Sequence, residues 1–288
     1  MNESIGIFGL GLMGSSLACA LRSRGFAGEI HGYARRDETV ATAEQNGWFT
    51  SVSTDPLAIA KHSTIAVLCT PIFTIPTLIE TMASALPHGA VITDVGSTKH
   101  VLQESVSKVL AGLENNLCFV GSHPMCGSEK TGIEAACGDL YHNATVVVVP
   151  PPVEKEFHAY ERIVAMWETV GASIVELESQ RHDELVARTS HLPHVMAALL
   201  TQTVFREGTT TKQDAVIGSG FRDTSRIAAG SPSVWHDIIK SNDRAICGEL
   251  MALRDALNVS IEQLDRRDFE GLRRMLEDAA EKRKRLDS

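Results

Sequence analysis

The run Gly9-Leu10-Gly11-Leu12-Met13-Gly14 follows a short apolar stretch and opens a segment with helical spacing, and no other stretch narrows the possible folds as far. Glycines at this spacing, between a strand and a helix, permit a tight turn, close approach of a pyrophosphate to the backbone, and close packing of the helix on the sheet. The unpaired N–H groups of the helix start then face the anion. The context predicts a dinucleotide-binding crossover in which Gly9, Gly11, Leu12, Met13 and Gly14 line the cofactor. A strand-to-helix turn without a ligand is the weaker alternative.

The rest of the first half extends this reading. Runs rich in β-branched residues at 4–8, 29–34, 64–69, 89–94, 117–121, 144–149 and 172–177 alternate with amphipathic segments of helical length. That alternation predicts βαβ units on a parallel sheet, an α/β doubly wound fold of the Rossmann type. The first helix, Ser15 to Arg24, carries Leu17, Ala20 and Leu21 and ends near Gly25. Three prolines at 150–152 close a strand. Beyond about residue 178 only helical patterns remain, at 180–206, 212–229, 232–257 and 268–285. Two domains are therefore expected, 1–178 nucleotide-binding and 179–288 all-helical. Ser231-Pro232 and Asp268 are expected helix starts, and Pro193 should disturb the first long helix, because it has no N–H and its ring crowds the preceding turn.

Composition excludes several functions. A formal net charge of -9 is wrong for nucleic acid, which requires a clustered basic surface. The one basic run, Lys282-Arg283-Lys284-Arg285, sits where cations complement the end of a last helix. No apolar stretch reaches the roughly 18 residues of a membrane span, and no signal-peptide pattern begins the chain, so a cytoplasmic protein without membrane or nucleic-acid partners is expected. The six cysteines contain no C-x-x-C pair and read as buried free thiols.

In an open parallel sheet, ligands lie beyond the carboxyl ends of the strands. Ala34 occupies the end of the second strand, where an acidic residue would hold the ribose of NAD, and Arg35 and Arg36 follow it. Two guanidinium groups suit a 2′-phosphate, so NADP is favoured, with NAD possible. Thr70-Pro71 follow the third strand, Asp94-Val95-Gly96-Ser97-Thr98-Lys99 the fourth, and Ser122-His123-Pro124 the fifth. Strand order thus brings Ser97 and His123 to the nicotinamide end. His123 is the candidate base for a substrate hydroxyl, Ser97 orients it or the hydroxyl, and Asp94 braces its loop. A satisfied loop histidine would be the better reading of His123 without the glycine loop upstream. His191 and His194, three apart on one helix, lack a neighbouring glutamate and a third ligand, so no metal is expected and anion binding is favoured. Arg222 and Arg226 are four apart after a glycine-rich lead, which suits one guanidinium in the site and one in an ion pair.

This order of motifs resembles the TyrA family, the prephenate and arogenate dehydrogenases, over nearly the whole chain. The glycine loop, the Asp94–Lys99 loop, the segment from His123 to Gly132, Thr189-Ser190-His191-Leu192-Pro193-His194 and Gly220-Phe221-Arg222-Asp223-Thr224-Ser225-Arg226 carry the likeness. The resemblance implies a Rossmann domain, a helical C-terminal domain through which two chains dimerise, and a metal-free oxidative decarboxylation of a cyclohexadienol in tyrosine biosynthesis. His123 would accept the ring hydroxyl's proton and Ser97 would contact the same hydroxyl. Arg226 would bind a carboxylate, His191 and His194 would hold the substrate's other end, and Trp235 would pack there. Ser128, Glu129 and Asp223 match substrate-site positions, the two acids pairing with the arginine and gating access. No motif separates prephenate from arogenate. The glycine loop is also similar to that of β-hydroxyacid dehydrogenases, but those carry a catalytic lysine early in the helical domain, and here the first lysine after the boundary is Lys212. A non-catalytic NADP-binding sensor is the remaining alternative.

Overall fold

The computed structural model of the chain describes residues 3–113, 115–127, 130–153, 156–206 and 214–286. Six parallel strands form the main sheet: β1 (Ile5–Phe8), β2 (Ile30–Tyr33), β3 (Ser51–Ser53), β4 (Ile65–Leu68), β5 (Val91–Asp94) and β6 (Cys118–Val120). Their order is β3-β2-β1-β4-β5-β6, so the chain reverses direction across the sheet between β1 and β4. At such a switch the flanking loops part and leave a crevice at the carboxyl ends.

Both faces of the sheet are covered, which is why its strands read as continuous apolar runs rather than alternating ones. Ile5, Ile7, Ile65 and Val67 point to one face and pack with Leu17 and Leu21 of α1 (Leu12–Ser23) and with Ile163, Met166 and Trp167 of α6 (Phe157–Thr169). Phe8, Ala66, Leu68 and Ile92 point to the other. There they meet Ile59 of α3 (Pro56–Ala60), Ile79 and Met82 of α4 (Ile75–Met82), and Leu102 and Val106 of α5 (His100–Leu110). Between β2 and β3 lies α2 (Asp37–Gln45). The edge strand β3 escapes sequence reading because Ser51-Val52-Ser53 is short and half-polar.

The parallel sheet ends at β6, which corrects the expectation that the strands near 144–149 and 172–177 extend it. Gly121 separates β6 from β7 (Ser122–Pro124), which belongs with β8 (Thr145–Val148) and β9 (Ser173–Glu176) to a second sheet of order β7-β8-β9. Here β7 runs antiparallel to β8, with His123 opposite Val147, while β8 and β9 are parallel. His123 therefore stands on a strand, not in a loop.

The helical half begins with α7 (Ser179–Val186), followed by a π-helical turn at Ala187–His191 and α8 (Leu192–Val204). Pro193 falls in the first turn of α8, where its missing N–H breaks the regular ladder, and the wider turn before it absorbs the defect. Then come α9 (Ser219–Ser225), a 3-10 turn at Arg226–Ala229, α10 (Pro232–Ser241), α11 (Asp243–Asp265) and α12 (Phe269–Lys284). The single helix expected over 232–257 is broken at Asn242. The cause is tertiary: the buried Asn242 amide donates to the Asp183 carbonyl at 2.8 Å and lies 3.2 Å from His191 Nδ1. Asp268 caps α12 by accepting from Gly271 N–H at 2.9 Å, whereas Ser231 makes no side-chain cap on α10 and lies instead 3.0 Å from Ser233 Oγ. Six free cysteines are present, but Cys137 and Cys247 are exposed and the other four only half-buried, so the expectation of buried thiols is corrected. Among the described residues, no helix is long and apolar enough to cross a membrane.

Candidate active site

The glycine loop joins β1 to α1 at the switch point. Gly9 has φ +111°, and a Cβ there would lie 2.6 Å from the Cys69 carbonyl oxygen, so glycine is required for both backbone and space. A Cβ on Gly14 would overlap the Gly9 carbonyl oxygen, so this glycine sets how closely α1 packs on the turn. Gly11 differs from both: a Cβ there meets nothing within 4 Å, because it faces the open cleft. No acidic residue lies in the first turn of α1, leaving the N–H groups of Leu12 and Met13 for an anion. Behind them Tyr141, wholly buried, donates its hydroxyl to the Met13 carbonyl at 2.7 Å.

The cleft above this loop measures about 460 Å³. Gly9, Gly11, Ala34, Arg35, Arg36, Thr70 and Pro71, all expected at the cofactor, line it. Glu38 and the turn from Gly132 to Glu134 also line it, and no sequence signal pointed to them. Thr70 Oγ1 is buried without a hydrogen-bond partner, an orphan that a polar ligand in this cleft would satisfy. The loop, the open Gly11 and the orphaned hydroxyl fit a dinucleotide. Ala34 is buried at the end of β2, Arg35 and Arg36 are exposed, and Asp37 is drawn into the first turn of α2.

A second group of polar side chains is buried where the two halves meet. Asp94, at the end of β5, accepts from Gly96 N–H at 2.8 Å and Ser122 N–H at 3.1 Å, and forms a buried ion pair with Lys99. It braces the loop, as the sequence suggested. Thr98 Oγ1 meets Ser241 Oγ at 2.8 Å, fastening this loop to α10. His123 is buried, and its Nδ1 lies 2.8 Å from His182 Nε2 on α7. His182 Nδ1 is in turn 2.8 Å from Asp183 Oδ1. The Asp183 carboxylate also accepts the backbone N–H groups of Lys99 (2.8 Å) and His100 (2.9 Å) at the start of α5. Burial, then the neighbouring His182, Lys99 and His191, push the His123 pKa well below the usual histidine value.

His191 is buried on the π-helical turn, and burial with His182 and His194 nearby lowers its pKa to about 4 despite an opposing pull from Asp183. One turn further, His194 stacks on Trp235 of α10 with ring centroids 3.4 Å apart and planes 13° from parallel, while His191 meets the same indole edge-on at 5.9 Å. The site thus brings together His123, His191, His194 and Trp235 from both halves. Ser97 is half-buried on the Asp94–Lys99 loop and, among the described residues, makes no hydrogen bond to His123, whose ring partner is His182. Arg226 and Asp223 are exposed on α9 and the turn after it, and among the described residues they form no ion pair with each other. Ser128 and Glu129 lie outside the described residues. Sequence reasoning missed His182, Asp183 and Asn242; a His-Asp dipeptide early in a helix is usually surface decoration, and only packing against α5 and β7 distinguishes this one.

A six-stranded sheet in this order, a glycine loop at its switch point with an open cleft above it, and a helical half that buries His182, His191 and His194 define a two-part NAD(P)-dependent dehydrogenase. Residues 17–176 match the family described as "Prephenate dehydrogenase, nucleotide-binding domain", and residues 178–278 match "Prephenate dehydrogenase, dimerization domain". The chain belongs to the prephenate dehydrogenase, or TyrA, family. It is 32% identical to the prephenate dehydrogenase of Bacillus subtilis over 92% of this chain and 72% of that one. Prephenate dehydrogenase from A. aeolicus, solved with hydroxyphenyl propionate and NAD+, superposes with a TM-score of 0.90 at 28% identity, covering 99% of this chain and 98% of the other. Synechocystis arogenate dehydrogenase gives 0.82 at 30% identity, over 98% and 99%. The β-hydroxyacid dehydrogenase and sensor alternatives are not favoured.

Proposed function

We propose that the chain oxidatively decarboxylates a cyclohexadienol, prephenate or arogenate, with hydride passing to NAD(P)+ on the route to tyrosine. The observation that carries this is a chain of side chains across the two halves, in which buried His191 lies near buried His123 and edge-on to the Trp235 indole that His194 stacks on. A low-dielectric setting with an uncharged imidazole and a flat aromatic ring suits a substrate ring that bears one ionisable hydroxyl.

In this reading His123 accepts the ring hydroxyl's proton, and the lowered pKa keeps its imidazole free to do so at neutral pH. Ser97 contacts the same hydroxyl. Arg226 binds a carboxylate, and His194 and His191 hold the side-chain end against Trp235. Asp223 gates entry to the site. When bound, the nicotinamide supplies the hydride acceptor. Loss of CO2 needs little assistance because the ring becomes aromatic, so the protein contributes position and charge placement.

NADP is the preferred cofactor, on the strength of Ala34 where an acid would hold the ribose and of two exposed arginines at the cleft edge. The nucleotide domain spans 1–178 and the helical domain 179–288, supported by β9 ending at Glu176 and α7 beginning at Ser179. Two chains pair through the helical domain. In α11 and α12 only Ile246 and Gly271 are buried, while Leu257 is 50% and Phe269 62% exposed, an apolar surface that a second copy would cover.

The test is a spectrophotometric matrix of prephenate and arogenate against NAD and NADP, with His123→Asn as control. Reduction with at least one substrate, lost in the variant, is expected. No reduction in any combination would overturn the assignment, and an unimpaired His123→Asn would remove His123 from the chemistry.

A further inference from the structure

Asp183 is placed by the fold with unusual care. Its two carboxylate oxygens cap the start of α5 through Lys99 N–H and His100 N–H, at 2.8 and 2.9 Å, and Oδ1 also faces His182 Nδ1 at 2.8 Å. A carboxylate has no hydrogen to give, so His182 Nδ1 must carry one. A neutral His182 ring is then bare at Nε2, and this atom lies 2.8 Å from His123 Nδ1. The hydrogen in that contact belongs to His123, whose Nδ1–H donates to His182. The other nitrogen of His123, Nε2, is left with its lone pair free.

We propose that His182 and Asp183 are positioning residues that hold His123 in the tautomer with a bare Nε2 and offset the positive charge it gains when it takes the substrate's proton. The proposal rests on His123 being the base. An imidazole without this ordering divides between two tautomers, and the one bearing hydrogen on Nε2 accepts nothing there. The charge matters as much as the tautomer. Lys99 and His191 are the other titratable groups that face His123, and both disfavour an imidazolium, as does burial itself. Asp94 is already paired with Lys99, whereas Asp183, reached through His182, is aligned to oppose them, and the N–H groups of α5 stabilise it as a carboxylate.

Atom balance gives the relay a further constraint. The hydroxyl's O–H bond breaks and its proton moves to His123 Nε2 as the carbon gives up hydride to the nicotinamide. Cleavage of the bond to CO2 then returns electrons to the ring oxygen, which becomes a phenol by taking a proton back. Over one turnover His123 lends and recovers its vacancy, and no proton need reach solvent. His182 at 0% exposure and Asp183 at 4% are suited to holding charge in place rather than conducting it outward.

The experiment is 15N NMR of histidine-labelled protein without cofactor or substrate, joined to steady-state kinetics. Wild-type His123 is expected to be hydrogen-bearing at Nδ1 and bare at Nε2, and His182→Phe, which keeps a ring but no acceptor and leaves the Asp183 cap in place, is expected to abolish that preference. In His182→Phe and Asp183→Asn, kcat should fall about 100-fold, within the usual share of general base catalysis, with KM within about twofold. The acid limb of kcat/KM should move to lower pH in Asp183→Asn, because an imidazolium without its anion forms less readily. A wild-type His123 protonated at Nε2, or a His182→Phe enzyme with unchanged tautomer and kcat, would overturn the relay. Failure of all substrates to turn over with the tautomer as described would refute the functional assignment alone, so the two failures are distinguishable.

Discussion

Gly11 and Gly14 lie three residues apart in one loop, yet alanine at each should fail in opposite ways. A Cβ on Gly14 overlaps the Gly9 carbonyl oxygen and comes within 2.9 Å of Ile7 Cγ2, two groups fixed by the strand and turn beneath α1. Relief requires α1 to move off the sheet, and overpacking of this kind costs about 3 kcal/mol. In a domain of this size that is roughly 6–12 °C in Tm. A Cβ on Gly11 meets nothing, and the backbone there, at φ -88° and ψ -159°, is open to any residue. Its stability should stay within about 0.5 kcal/mol of wild type, since reduced freedom of the unfolded chain offsets a poorer helix cap. The same methyl, however, stands where a pyrophosphate must approach the N–H groups of Leu12 and Met13. Losing one charge-assisted hydrogen bond costs about 1.5–3 kcal/mol, a rise of about 10- to 150-fold in cofactor Kd. Urea unfolding without ligand and calorimetric titration with NADP separate the two effects. Cofactor affinity within twofold of wild type in Gly11→Ala, or equal stability of the two variants, would refute the reasoning.

Replacing Arg35 and Arg36 together by Ser should raise KM for NADP about 30-fold, the scale of one or two lost charge-assisted contacts, and leave KM for NAD within twofold; equal effects on both cofactors would remove the arginines from the 2′-phosphate. Ile261→Glu, on the exposed face of α11, should shift the protein from dimer to monomer in sedimentation at micromolar concentration, and an unchanged dimer would place the interface elsewhere. His191 ties stability to pH: with a folded pKa near 4 against 6.5 unfolded, the unfolded chain binds the proton first, so its contribution is complete above pH 6.5 and is lost as pH falls towards 4. The loss amounts to about 3 kcal/mol at 1.36 kcal/mol per unit. Unfolding free energies at pH 7 and 4.5 should therefore differ less in His191→Gln than in wild type, and equal differences would refute the account.

Much of this protein was legible because its signals are local. The glycine loop reads directly, since backbone geometry and helix packing at Gly9 and Gly14 impose requirements that a side chain would violate. The strands of the main sheet show because burial on both faces forces uninterrupted apolar runs. Asp268 announces the start of α12 through a hydrogen bond to a residue three positions away. His123, His191 and His194 stood out as titratable groups beside turn or helix signals, and the fold gathers them.

Other features had no local signal to read. The second sheet takes His123 onto a strand because of its pairing with β8, some two dozen residues on. Asn242 breaks a helix to reach the Asp183 carbonyl and His191, contacts that span about fifty to sixty positions. The sequence by itself determined the α/β class, the nucleotide loop and the all-helical second half, because periodicity and turn chemistry act within a few residues. Only the tertiary structure decided which nitrogen of His123 is tied to His182, since that contact joins strand to helix across 59 positions and only the packing of the two halves places it.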